Sequence, residues 1–208
     1  MKSENKTRIG ILGGSFNPIH LGHLIVAQNA LDSFDLDKVL FMPCYIQPLK
    51  GKRALATSEH RLAMVEQAIF DNLAFELLDI EIARGGTSYA IDSVRAIREI
   101  YPTAELFFII GADTLQELYM WRDIYELLEL CKFATLARPG YELSDARLNK
   151  IKLKAPWPER LLQNVARGRL IDISSSDIRH RVAEGMSIRY LVPQSVEMYI
   201  AEHGLYKI

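Results

Sequence analysis

The sequence predicts an α/β protein built on a doubly wound, parallel sheet, and three observations carry that expectation. Short β-like apolar runs alternate with helical stretches along the chain. Two of the runs, KVLFM and ELFFII, are continuous apolar segments rather than alternating ones, as strands covered by helices on both faces must be. The first run passes through a glycine-rich turn directly into a helix, which is how the ligand-binding end of such a sheet begins.

The elements follow in order. Arg8 to Leu12 reads as the first strand, and Leu21 to Phe34 as a helix with apolar residues at three- and four-residue spacing. Lys38 to Met42 is the second strand. The helix Ser58 to Phe70 comes next, with Thr57 or Ser58 able to cap it. Phe75 to Ile80 reads as a strand and Tyr89 to Ile100 as a helix closed off by Pro102. Glu105 to Ile110, the helix Ile124 to Cys131 and the strand Phe133 to Ala137 continue the alternation. From Gly140 to Gly168 periodicity is weak and APWPER carries two prolines, so a surface excursion is expected. Arg169 to Ile173 is the last strand; it ends in three serines, after which a helix begins with Asp177. Ser195 to His203 is the final helix, with Gly204 just past its end.

At 208 residues, with 49% hydrophobic and 25% charged side chains, the chain reads as one globular domain spanning 1–208. A net charge of −1 argues against nucleic acid as a partner, and the polar opening MKSENKT leads into an apolar run too short for a bilayer. The only cysteines, Cys44 and Cys131, lack companions at metal-ligand spacing. Free thiols, no protein metal site and a cytoplasmic location are expected; a monomer and a homo-oligomer are both compatible.

The chemistry concentrates at the two ends of the chain. In RIGILGGSFNPIHLGHL, Gly13 and Gly14 permit a sharp turn and close approach to a ligand, and the helix start behind them offers free N–H groups to phosphate, with Ser15 adding a hydroxyl. No Gly-Lys-Ser/Thr follows, and the G-x-G-x-x-G spacing is missing, so neither common nucleotide loop applies. His20 and His23 lie three residues apart and share one face beside the turn. Near the other end, IDISSSDIRHRV offers a second anion-binding helix start, with Arg179 in its first turn. Read singly, these features are also what a tight turn, a packed histidine, an N-cap and a surface charge look like. Their joint occurrence is what counts.

The pattern resembles the nucleotidylyltransferase superfamily: its H-x-G-H signature matches His20-Leu21-Gly22-His23, and its late I-S-S-T/S-x-I-R motif matches Ile173 to Arg179. Within it, nearly the whole chain is similar to the nicotinate-nucleotide adenylyltransferase family. Gln47-Pro48-Leu49-Lys50, Gly86 to Asp92, Phe107 to Asp113, Trp121 and Ala137 to Gly140 carry that resemblance, with Leu49 and Ala90 departing from the family's histidine and threonine. The resemblance implies a Rossmann-like, doubly wound parallel sheet of the nucleotidylyltransferase type in a single domain. It also implies transfer of AMP from ATP to nicotinate mononucleotide, with Mg²⁺ accompanying ATP. His20, His23, Lys50 and Arg179 are the implied catalytic residues. Gly13, Gly14, Ser15, Phe16, His20, His23, Gly111, Asp113, Arg138, Ser175, Ser176 and Arg179 would bind ATP, while Asn17, Lys50, Thr87, Tyr89 and Trp121 would bind the mononucleotide.

A phosphate nucleophile is already ionised at neutral pH, which explains why no catalytic triad is visible. Competing readings are a cytidylyltransferase or pantetheine-phosphate adenylyltransferase, disfavoured by the Thr87-Ser88-Tyr89 and Trp121 stretches, and a class I aminoacyl-tRNA synthetase fragment, disfavoured by the lack of a K-M-S-K-S-like loop. A non-catalytic adenylate sensor would have no need of transition-state contacts.

Overall fold

A computed structural model describes residues 6–46, 56–137, 151–169 and 171–207. Its strands, β1 (Arg8–Gly14), β2 (Lys38–Pro43), β3 (Phe75–Leu77), β4 (Glu105–Gly111), β5 (Lys132–Ala137) and β6 (Val165–Arg167), form one sheet in the order β3-β2-β1-β4-β5-β6. The β1/β4, β4/β5 and β5/β6 ladders are parallel. The helices are α1 (Leu21–Ser33), α2 (Ser58–Ile69), α3 (Ile80–Arg84), α4 (Ala90–Ile100), α5 (Ile124–Leu130), α6 (Trp157–Gln163), α7 (Ser175–Ala183) and α8 (Gln194–Glu202). The expected α/β class and parallel sheet are what the chain adopts.

Contacts divide the chain into two interleaved compact units: Met1–Leu12, Ala27–Val39 and Tyr89–Leu170, then Gly13–Val26, Leu40–Ser88 and Ile171–Ile208. In the first unit β4 is buried along its middle and pairs Arg8↔Glu105 through Ile11↔Phe108 on one side and Phe107↔Lys132 through Gly111↔Leu136 on the other. Phe107, Phe133, Ile9, Ile11 and Ile97 are fully buried there, each worth about 1.5–3 kcal/mol of transfer free energy. Glu105 gathers Arg8 and Lys132 at the strand starts, and Arg98 donates to the carbonyls of Ala104 and Leu130, tying α4 to the chain around β4 and β5.

In the second unit α2 packs on α8. Thr57 Oγ1 caps α2 by accepting from the His60 backbone N–H at 3.5 Å, as expected, and Ser195 Oγ donates to Gln67 O. Tyr199 Oη lies 2.9 Å from His60 Nδ1, and Val196 and Ile200 turn inward.

Three expectations are corrected. The third strand stops at Leu77 and Ile80–Arg84 is helical, because IEIAR carries helical spacing and Gly85, at φ 69, ends it. The sixth strand is Val165–Arg167, inside the expected excursion, while Arg169 and residues 171–173 form no strand. A ladder on a sheet edge, Thr135↔Val165 to Ala137↔Arg167, decides this rather than apolar content. That excursion also holds α6, too short at seven residues to show periodicity.

Candidate active site

The second unit holds both signature motifs. β1 ends at Gly14, and the chain then turns through Phe16 at φ 46, a left-handed backbone that costs a bulky residue about 1–2 kcal/mol. The strain is held from several sides. The Phe16 ring is fully buried, edge-on to His23 at 5.0 Å and 5.9 Å from Phe41. Arg61 Nη1 donates to Ser15 O at 2.8 Å, Arg179 Nη1 to Asn17 O at 2.8 Å, and Ser175 Oγ to Pro18 O at 2.9 Å. Tyr206 Oη donates to Asn17 Oδ1 at 2.7 Å. Strained backbone over-determined by its surroundings is characteristic of functional loops.

From this loop α1 begins and carries the paired imidazoles. Their rings stack at 3.7 Å between centroids with 27° between planes. The His20 backbone N–H donates to His23 Nδ1 at 3.2 Å, so the proton of a neutral His23 sits on Nε2 and that nitrogen is offered as a donor. Gly22 makes room for the arrangement: a Cβ there would stand 2.9 Å from His20 Nδ1. Burial lowers His20 to a pKa of about 4; burial, then the charge of His20, lowers His23 to about 3. Both are therefore neutral in the free protein at pH 7.

The stability consequence has a definite sign. These folded-state values lie below the unfolded value of 6.5, so the unfolded chain takes up protons first as pH falls. Stability is full above about pH 6.5 and is expected to drop by up to ~1.4 kcal/mol per pH unit per histidine on the way towards pH 4. Thermal melts from pH 7.5 to 4.5 check this. The wild type should lose more of its Tm than a His20→Asn/His23→Asn double variant, and parallel curves would contradict it.

The second motif is a capped helix start. α7 begins at Ser175, two residues before the expected Asp177, because Ser174 is the N-cap and its Oγ accepts from the Asp177 backbone N–H at 3.1 Å. Arg179 also donates to Ser176 Oγ at 3.1 Å. Two helix N-termini, two imidazoles and a guanidinium thus meet around residues 13–20, the arrangement expected of a phosphate-binding centre. Thr87 is exposed and bridges Ile46 through the backbone, next to buried Ser88, whose Oγ accepts from the Tyr45 N–H.

The remaining candidates belong to the first unit. Gly111 closes β4, and a Cβ there would run into the exposed Asp113 carboxylate, which stands at the start of the 3-10 turn Thr114–Gln116 without making a side-chain capping hydrogen bond. Trp121 is half-buried and packs edge-on against Phe108 at 5.5 Å, with Phe133 at 6.0 Å. Arg122 lies over the Tyr89 ring at 4.7 Å. Lys50 and Arg138 lie outside the described residues. Among the described residues no three His, Cys, Asp or Glu side chains gather as metal ligands, no helix is long and apolar enough to cross a membrane, and Cys44 and Cys131 are buried free thiols.

Sequence reasoning missed Arg61, Tyr206 and the strain at Phe16. Arg61 had a signal: it falls in register with Met64, Val65, Ala68 and Ile69 on the buried face of α2, where a cation needs a reason to be. Tyr206 had none.

What this loop is equipped to handle is the phosphate chain of a nucleotide, and the class it defines is the nucleotidyltransferases: the cytidylyltransferase-like family matches residues 11–181. A relative from Desulfitobacterium hafniense, named "Probable nicotinate-nucleotide adenylyltransferase", is 44% identical over 205 residues, covering 97% of this chain and 96% of its own. One of the same name from Opitutus terrae is 42% identical over 200 residues, covering 96% and 98%. The chain belongs to the nicotinate-nucleotide adenylyltransferase family. Its fold is also that of the Plasmodium falciparum nicotinic acid mononucleotide adenylyltransferase complexed with NaAD, with a TM-score of 0.74 at 19% identity over 96% of this chain and 97% of that one.

Proposed function

We propose that the chain is the enzyme that joins ATP and nicotinate mononucleotide into nicotinate adenine dinucleotide and pyrophosphate, a step of NAD biosynthesis. An oxygen of the mononucleotide phosphate attacks the α-phosphorus of ATP; the new P–O bond forms as the bond to the leaving pyrophosphate breaks, with no covalent enzyme intermediate. The nucleophile is ionised at neutral pH, so the protein's task is to place the two phosphates in line and to neutralise the charge that builds between them. Mg²⁺ enters with ATP as part of the substrate.

The observation that carries this reading is the stacked, neutral His20–His23 pair at the start of α1, on a loop that the capped start of α7 also grips. His23 Nε2–H supplies a donor to the α-phosphate. Incoming triphosphate charge favours the protonated imidazoles, so binding ATP draws their pKa values upward from the low values of the free protein. Arg179 and the α7 N–H groups hold the departing phosphates with Lys50. Gly13, Gly14, Ser15, Phe16, Ser175 and Ser176 line the triphosphate path, and Arg138, Gly111 and Asp113 serve the rest of ATP, Asp113 as acceptor for the ribose diol. Ser175 acts through its backbone N–H, since its hydroxyl is committed to Pro18 O.

Asn17, Thr87 and Tyr89 supply donors for the mononucleotide, and Trp121 an aromatic face for its pyridine ring. The 208 residues act as one nucleotidyltransferase domain, in the cytoplasm, where the buried thiols stay reduced.

The test offers purified protein Mg·ATP with nicotinate mononucleotide and nicotinamide mononucleotide in parallel and resolves the dinucleotides and pyrophosphate by chromatography. Nicotinate adenine dinucleotide is expected in preference; ATP binding without a dinucleotide from either acceptor would sink the assignment.

A further inference from the structure

We propose that Tyr206 is a positioning residue for the mononucleotide site, acting through the side-chain amide of Asn17. The proposal rests on the adenylyltransferase reading, in which Asn17 meets the mononucleotide.

An asparagine amide has an acceptor end and a donor end, and nothing in its own covalent structure chooses which faces a ligand. Here Tyr206 Oη donates to Asn17 Oδ1 at 2.7 Å, a bond between residues 189 positions apart, and Asn17 is only 6% exposed. With that bond made, Oδ1 faces the phenol, and the NH₂ is the end left for a phosphate or carboxylate. Among the influences on the phenol burial dominates, and the charges of Arg179 and Arg61 oppose it more weakly. Burial raises the Tyr206 pKa above the ordinary value, so the proton that makes the bond stays in place.

The chain goes out of its way to deliver this hydroxyl. α8 ends at Glu202, Gly204 turns at φ 59, and the Leu205 N–H closes on Ile200 O at 3.0 Å, which seats buried Leu205. Tyr206 then takes φ 66, a left-handed conformation that a tyrosine adopts only when its surroundings demand it.

The backbone of the loop does not need Tyr206. Arg61 holds Ser15 O, Arg179 holds Asn17 O and Ser175 holds Pro18 O. What is left for Tyr206 is the orientation of one amide. Losing its hydroxyl should therefore weaken the mononucleotide and spare the rest of the reaction.

Tyr206→Phe tests this, because it removes the hydroxyl and keeps the ring. The KM for nicotinate mononucleotide is expected to rise about tenfold, roughly what one hydrogen bond is worth, with kcat and the KM for ATP within about twofold. Adding Tyr206→Phe to Asn17→Ala should bring no further loss. A uniform fall in both substrates' binding, or a full effect in the Asn17→Ala background, would make Tyr206 a merely structural residue and overturn the proposal. Amide NMR of the free protein decides independently of activity: the Asn17 side-chain NH₂ resonance should shift in Tyr206→Phe, and an unmoved resonance overturns the clamp. Wild-type protein that forms no dinucleotide would defeat the functional reading instead, leaving the NMR comparison to judge the hydrogen bond.

Discussion

Replacing His23 by alanine is expected to slow adenylyl transfer by about 100- to 1,000-fold while ATP binding changes by less than tenfold. The magnitude is that of losing one preorganised donor from a water-poor site where negative charge develops. His23 is preorganised in a definite sense: its Nδ1 is fixed by the His20 N–H, its ring lies against His20 at 3.7 Å, and Phe16 supports it edge-on at 5.0 Å. The Nε2–H direction is therefore set before substrate arrives, and alanine removes the donor together with the buttress. Pyrophosphate release at saturating substrates, with calorimetric titration of ATP as the control, reads the two effects apart. His23→Asn, which keeps an N–H of shorter reach, should fall between the wild type and alanine. A loss under about fivefold in His23→Ala would take this side chain out of the transition state.

Why His23 was legible from the sequence while its supports were not follows from distance along the chain. The H-x-G-H and I-S-S-S-D-I-R segments are local patterns, and local pattern is enough to place both helix starts within a residue or two. The strands β1, β2, β4 and β5 were legible for a similar reason, being apolar runs whose burial follows from composition. β6 has only Val165, Ala166 and Arg167 and exists because the edge of β5 accepts it, which no window of sequence reveals. Arg61 and Tyr206 reach the loop across 46 and 189 residues, so their roles appear only when the fold closes. Phe16 illustrates the same limit: nothing in G-G-S-F-N-P marks a phenylalanine for positive φ, and the contacts of its ring, with His23 and Phe41, hold it there.

At Gly22 the sequence motif and the geometry of the fold bear on the same atom. Gly22→Ala is expected to lower the rate by about 100-fold, close to the lower figure for losing a donor outright, although alanine touches no substrate. The added Cβ would stand 2.9 Å from His20 Nδ1, 3.0 Å from His20 Cε1 and 3.4 Å from Ile171 Cγ2. His20 is 6% exposed and already stacked on His23, so its ring cannot swing aside without disturbing the pair. The fold itself should take the change far better than the activity does. Overpacking costs about 1–3 kcal/mol, whereas alanine in place of glycine near a helix start returns up to about 1 kcal/mol, leaving a net loss on the order of 1–2 kcal/mol. For a chain of this length that is a fall of a few degrees in Tm. Thermal melts and steady-state rates on the same preparation make the comparison: a large drop in rate beside a small drop in Tm means that the glycine is there to seat an imidazole. Equal, modest effects on both would mean that it serves only the turn of the chain.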